Sequence, residues 1–337
     1  MSAILSRLLG AACAALSAYV FAAGGTALAK AAVTTFDAPN STGTFPQSIN
    51  DDGEIAGFYI DANNIGHGFV RAIGGAITSF DPEGSVGTAP KFINRKGVVA
   101  GRYQDSAFVD HGFVRSSSGE IVSFDPSGST GTDPECINSG GTVTGYYYDS
   151  TFMSHGFLRK ADGIITIFDP DQSTDTLAFG INNSGAVAGQ YYEGGNGAHG
   201  FLRASDGKVT TFDPPGSTET DPFAIDDAGD IAGSWYDGNF VRHGFLRTAD
   251  GTIATFDPQK STDTVTFSIN SLGIAAGTYN KVVGSYGFVL RGNGGIKTFD
   301  ILKSHGVEAM SINTGGAITG NYASDATTFH GFLRTAK

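Results

Sequence analysis

Six histidines share one neighbourhood: His67, His111, His155, His199, His243 and His330 each precede Gly-Phe. Histidine binds metals and moves protons near neutral pH, so these residues are the first candidates for chemistry. A zinc ion needs three or four ligands at ~2.0–2.1 Å. The first five histidines stand 44 residues apart, and no Cys or second His recurs at ligand spacing. On a third strand, about 9–10 Å outside an innermost one at ~4.8 Å per strand, equivalent residues of neighbouring units diverge. The spacing therefore predicts one structural hydrogen bond per histidine and no metal centre. The expected acceptor is the Asp of a recurring Phe-Asp pair or an Asp of the preceding loop.

A second set, Asn50, Asn94, Asn138, Asn182, Asp226, Asn270 and Asn313, has Gly three residues later in every case. That is the pattern of a type I turn, with the side chain capping and glycine last. It favours a structural role over a ring of ligands. Recurring Arg71, Arg115, Arg159, Arg203, Arg247 and Arg334 read as strand-end charges paired with local acids. Tyr59, Tyr103, Tyr147, Tyr191, Tyr279 and Tyr322, with Trp235 in the fifth copy, read as packing residues before sugar platforms. Acidic loops such as Asp169-Pro170-Asp171 offer oxygen ligands, but no complete calcium loop is present. No cofactor is expected, with calcium the minor alternative. G-x-S-x-G, H-E-x-x-H and a phosphate-binding glycine loop are all missing. No catalytic residue is assigned, and the ligand-binding residues are not specified.

The elements that carry these residues repeat. Phe-Asp begins at Phe36, Phe80, Phe124, Phe168, Phe212, Phe256 and Phe299, in steps of 44 and finally 43. Within residues 46–81, four short segments alternate aromatic or β-branched residues with glycine and polar turns: one ending Ser48-Ile49-Asn50, then Glu54–Tyr59, His67–Arg71 and Ala76–Phe80. Four short strands every 40–45 residues mark a propeller blade. The expected fold is all-β: a seven-bladed β-propeller with four antiparallel strands per blade. The longest link, from Asp81 to about Pro90, should return the chain from the outer strand to the next inner one. In that phase the chain opens on an outer strand, Val33–Asp37, and ends after a third strand, His330–Arg334. The N-terminal strand should complete the last blade, and deletion of residues 31–39 should lower the melting temperature sharply.

Composition agrees. Glycine contributes 49 of 337 residues, about twice the usual share, and charged residues only 16%. The formal charge of −12 disfavours nucleic acid as a partner. Residues 1–29 read as a signal peptide: Arg7, then small and apolar residues, then Ala27-Leu28-Ala29 with cleavage after Ala29. Residues 30–337 then form a single domain of seven repeats of about 44 residues. That domain keeps one cysteine, Cys136, read as a small buried residue without a disulfide partner.

The unit built from Phe-Asp-Pro, Ser-Ile-Asn, Ile-Ala-Gly-x-Tyr and His-Gly-Phe-Leu-Arg resembles the bacterial extracellular HAF repeat family, with His-Gly-Phe in place of His-Ala-Phe. The resemblance spans residues 32–336. It implies an exported bacterial repeat protein and supplies no activity, cofactor or site residue. Tyr286 stands where the sixth copy should have histidine. The length and strand count also look like those of kelch and WD-repeat propellers.

These readings point to a secreted binding or interaction module, extracellular, periplasmic or on the cell surface. Its partner would be an extracellular protein or polysaccharide, with the module a monomer and no membrane contact once the leader is removed. The alternatives are a polysaccharide lyase or glycoside hydrolase, and a purely structural matrix protein. Unlike residues from neighbouring copies around a central opening would favour a specific site. Equivalent residues would favour structure.

Overall fold

Short aromatic and β-branched runs between turns give strands throughout. The computed structural model describes residues 32–335 apart from 196, 293, 302 and 303, and these hold 28 strands and no helix. The expected leader and its cleavage point lie outside the described residues. β1 spans Ala32–Phe36, β2 Gly43–Ile49, β3 Ile55–Ile60, β4 Gly66–Arg71 and β5 Ile77–Phe80. β2 to β5 form an antiparallel meander, and the same meander recurs along the chain as five separate four-stranded sheets. A sixth sheet has eight strands, in which a single parallel bridge, Gly43 to Phe329, joins β2–β5 to strands Gly306–Ile312, Ile318–Ala323 and Phe329–Thr335. β1 pairs antiparallel with Phe329–Thr335, from Ala32 opposite Thr335 to Phe36 opposite Gly331.

Each meander has two ends. The tight turns at Asn50–Gly53 and Ala72–Gly75 form the turn end. The links 61–65 and 81–86 form the loop end. The link after Phe-Asp is shorter than its sequence suggests, because the inner strand already begins at Gly87 and Pro90 lies inside it. Proline is tolerated there because it sits at a β-bulge, where no ladder hydrogen bond is required.

That bulge recurs in all the inner strands, between Pro46 and Ser48, Pro90 and Phe92, Pro134 and Cys136, and onward to Ala309 and Ser311. The opposing residue must be glycine: a Cβ on Gly57 would collide with the Phe45 carbonyl oxygen, leaving no room for any side chain. A second glycine, Gly68 of His-Gly-Phe, makes room for the Phe80 ring, which a Cβ would meet at 2.9 Å.

Phenylalanine fills the layers between sheets. Phe69, Phe113, Phe157, Phe201, Phe245, Phe288 and Phe332 are fully buried. Each takes the edge of the Phe-Asp ring from the preceding copy, as in Phe80–Phe113 at 5.9 Å and Phe299–Phe332 at 6.2 Å. Phe36 of β1 does the same for Phe69, at 6.4 Å. Edge-to-face contact adds to the area these rings bury.

The recurring arginines depart from the expectation of acid pairing. Arg71 stacks over the Phe36 ring at 4.7 Å, Arg115 over Phe80 at 4.8 Å and Arg334 over Phe299 at 4.7 Å. The Nη1 of Arg115 donates to the Ser116 carbonyl oxygen at 3.2 Å. A planar guanidinium lies flat on an aromatic face where a compact ammonium would not. The sixth copy has buried Leu290 at this position, packed near Phe256.

Candidate functional site

The bulges decide what faces the space between the inner strands. The extra residue of each bulge has no ladder partner, and bulges re-aim side chains in this way. These residues are Gln47, Lys91, Glu135, Phe179, Phe223, Phe267 and Met310, and together they line a cavity of about 320 Å³. The copies do not agree here. Three consecutive bulges present polar groups, and the other four present an apolar wall. Phe179 and Phe223 lie 5.5 Å apart, and Phe223 and Phe267 5.9 Å.

The polar side is an ion network. Lys91 Nζ lies 2.9 Å from Glu135 Oε1 and 3.7 Å from Asp133 Oδ1. Arg102 reaches Asp110 at 3.0 Å and Asp133 at 3.7 Å. The Tyr146 hydroxyl donates to Asp133 Oδ2 at 3.1 Å. Burial pushes the Glu135 carboxyl up to about 7 against the pull of Lys91. Burial acts to lower the Lys91 pKa, but Glu135 and Asp133 outweigh it and leave it raised. Burial, with Asp133 and Glu135, also raises Tyr146. In the fifth copy, burial and neighbouring Glu219 push Asp221 up to about 6. A second cavity of about 480 Å³, towards the loop end, shares Gln47 and Lys91 with the first and adds Phe45, Phe58, Arg102 and Glu308. The Phe45 and Phe58 rings stack at 4.9 Å. This arrangement can hold a molecule with one apolar face and several hydrogen-bonding groups, and Glu135 can hold or release a proton near neutral pH.

The recurring histidines lie elsewhere. Nδ1 of His67, His111, His155, His199 and His243 pairs with Asp81, Asp125, Asp169, Asp213 and Asp257 at 2.6–2.8 Å. His330 pairs with Asp37 at 2.9 Å. Nε2 of His67, His111, His155 and His243 faces the loop acids Asp61, Asp105, Asp149 and Asp237 at 3.5–3.8 Å. Partial burial alone would lower the pKa of His67, His111 and His155, but these carboxylates more than reverse it. Each ring rests on the residue opposite in the neighbouring strand, as His67 on Tyr59 at 5.1 Å and His243 on Trp235 at 4.7 Å. The other oxygen of several of these aspartates takes a threonine hydroxyl from the next inner strand, as Thr88 to Asp81 at 2.6 Å. Tyr286 replaces the histidine in the sixth copy and donates to the Val283 carbonyl oxygen at 3.1 Å. Among the described residues no group of three or more His, Cys, Asp or Glu could hold a metal ion.

The asparagines cap their turns and also tie one copy to the next. Asn50 Oδ1 accepts from Glu54 N at 2.9 Å, while its Nδ2 donates to the Asn94 carbonyl oxygen at 3.2 Å. Asn94, Asn138 and Asn182 donate in turn to the carbonyl oxygens of Asn138, Asn182 and Asp226. Asn270 donates to Asn313, and Asn313 donates back to Asn50 at 3.0 Å. Asp226 accepts from Ala228 N and Asp230 N at 2.9 Å, but an ionised carboxylate has no proton for the Asn270 carbonyl. These turns rim a third cavity, of about 550 Å³. Cys136 is buried and free, with its thiol pushed up to about 12 by burial.

The bulge residues were missed by sequence reasoning because they do not recur. The signal was available as the residue two places before the recurring Ile in each copy, read for its differences.

Comparison with family models and with curated proteins gives no match. In fold the chain is similar to solved structures. The β-propeller domain of the trilobed protease from Pyrococcus furiosus, described as having an open velcro topology, aligns with TM-score 0.63 at 10% identity, over 88% of this chain and 95% of that one. A catalytically inactive virginiamycin B lyase from Staphylococcus aureus, with quinupristin, aligns with TM-score 0.60 at 15% identity, over 91% and 100%. A puromycin hydrolase aligns with TM-score 0.62 at 12% identity, over 87% of this chain and 53% of that one. At these identities the likeness shows a propeller-like all-β fold and nothing of activity.

Proposed function

We propose that the chain is a closed, seven-bladed propeller of the HAF repeat type and acts as a secreted carbohydrate-binding module, with a sugar unit of an extracellular polysaccharide held in the cavity between the inner strands. Several contacts between the first and last copies support closure. Asn313 Nδ2 donates to Asn50 O, Thr314 N to Asp51 Oδ1 at 2.9 Å, and Ile49 N to Ser311 Oγ at 3.2 Å. In this reading β1 is the fourth strand of the last blade, and the eight-stranded sheet is two blades touching at one bridge.

The observation that carries the function is the divided wall of bulge residues. A pyranose has an apolar face of C–H groups and a rim of hydroxyls. Phe179, Phe223 and Phe267 suit the first, while Gln47, Lys91 and Glu135 suit the second. The cavity falls in the usual size range of small-ligand sites, about 300–1,000 Å³. A second reading, a polysaccharide-cleaving enzyme, is favoured by one feature: Glu135 keeps a proton to about pH 7 and is suited to general acid work.

The test is a glycan array probed with purified residues 30–337, with and without calcium. Saturable binding to one polysaccharide class is expected, weakened at least tenfold by Phe223→Ala and by Glu135→Gln. A blank array, or binding that both variants leave unchanged, would overturn the proposal. Incubation of a bound polysaccharide followed by end-group analysis separates binding from cleavage.

A further inference from the structure

The links at residues 61–65, 105–109, 149–153 and 237–241 share one conformation. The opening aspartate accepts two backbone N–H groups, as Asp105 Oδ1 does from Ala107 and Val109 at 2.9 Å. The fourth residue of each link lies in the left-handed region: Asn64 at φ 62°, Phe108 at 61°, Phe152 at 64° and Phe240 at 61°. Asparagine suits that region, and phenylalanine is disfavoured there. Yet Phe108, Phe152 and Phe240 are 74%, 80% and 84% exposed. In the sixth copy the corresponding link carries Val282 and Val283, 92% and 78% exposed. Scattered exposed apolar residues need no explanation. Here large apolar side chains occupy tips at the loop end, and Phe108, Phe152 and Phe240 are each held out by the same fixed turn in a conformation that disfavours it.

Charge selects among possible occupants. Asp61, Asp105, Asp149 and Asp237 open these links, and Asp81, Asp125 and their equivalents open the adjacent ones. Hydrogen bonds, foremost from backbone N–H groups in Asp61, Asp105 and Asp237 and from the Thr151 hydroxyl in Asp149, hold those opening acids below the usual carboxylate range, so they stay ionised. Among the described residues the lysines of the loop-end links are Lys260 and Lys281, and Lys281 is already held over the Tyr286 ring at 4.6 Å. An anionic bilayer or an acidic protein would be repelled, whereas a partner with both cationic and apolar groups would be matched. We infer that the loop end is a docking surface for a protein partner that presents a basic amphipathic segment, with the Phe108, Phe152 and Phe240 tips entering its apolar stripe. The inference is independent of any sugar in the cavity.

The test uses the whole chain and a fluorescent amphipathic peptide of leucine and lysine, with a leucine and glutamate peptide of the same pattern and phosphatidylcholine vesicles as controls. Saturable, salt-sensitive binding of the lysine peptide is expected, at least tenfold tighter than that of the glutamate peptide. The triple variant Phe108→Asn, Phe152→Asn, Phe240→Asn should weaken it at least tenfold. Asn64 already holds the equivalent position, so the variant should melt no lower than the parent, and lost binding then reports a lost contact rather than unfolding. No saturable binding of the lysine peptide, equal binding of the two peptides, or binding untouched by the triple variant would each overturn the inference. So would tip-dependent binding to the vesicles in place of the peptide.

Discussion

The turn end of the meanders and the far part of their inner strands follow opposite rules. At the turn end the copies agree: Asn50, Asn94, Asn138, Asn182, Asn270 and Asn313 each cap a turn and donate to the next copy. Towards the loop end they disagree, with Phe45, Ala89, Asp133, Leu177, Asp221, Val265 and Glu308 at equivalent places in the inner strands. A group that joins one copy to the next must be repeated to be useful. A group that meets a ligand must differ from its equivalents if the site is to have an orientation. The contrast teaches that, in this chain, recurrence marks structure and its breakdown marks candidate chemistry.

The strongest way to break the comparison is to remove what holds the first and last copies together. Deleting residues 31–39 takes away β1, with the Phe36 edge contact and the Asp37–His330 pair. We expect a loss of several kcal/mol, roughly 10 °C or more in Tm by calorimetry. An unchanged melt would show that β1 is dispensable.

A smaller effect sharpens the cavity side. Glu135 has a folded-state pKa of about 7 against 4.5 for an ordinary glutamate, so the folded state holds its proton more tightly. The stability that follows is present below 4.5 and is lost as pH rises to 7. Thermal melts across that window should fall with pH in the parent, by on the order of 2 kcal/mol. Glu135→Gln should flatten them. Asp221, displaced in the same direction to about 6, should give the same sign between 3.8 and 6. A parent whose stability climbs through this window would contradict both assignments.

The smallest effect concerns the one turn that breaks the agreement. Asp226→Asn supplies a donor for the Asn270 carbonyl while keeping the oxygen that caps the turn. A gain of about 0.5–1.5 kcal/mol is expected at pH 7, typical of one intramolecular hydrogen bond. Burial raises the Asp226 pKa, so the parent gains stability as pH falls towards its carboxyl range, and the asparagine variant should not share that gain. Equal melts at pH 7 would mean that the missing donor is already replaced.

Much of this was legible without coordinates. Phe-Asp, Ile-Asn-x-x-Gly and His-Gly-Phe located the strands to within a residue or two, because a layer of packed phenylalanines imposes the same residue in every copy. The acceptor of the histidines followed from the acids at fixed distances on either side. The second role of the asparagines did not, since a donor's reach across to the next copy leaves no trace in a local pattern. The arginines misled for a similar reason: each lies on a ring 35 residues earlier, Phe36 for Arg71, and a local acid such as Asp250 beside Arg247 acts only through longer-range attraction. The site was hardest to see. Lys91, Glu135 and Phe223 share a position without sharing a type, and a search for recurrence discards them.

The pairing of β1 with Phe329–Thr335 also sets an order of events. Synthesis runs from the N-terminus, so β1 is the first described strand to be made, and its partner is the last. Local meanders can form as they emerge, but this contact has to wait for nearly the whole chain, with a long loop to close. Until then both β1 and the edge it will cover are unpaired, the condition in which strands find wrong partners. A chain cut short before Phe329–Thr335 would therefore leave β1 without the strand it pairs with.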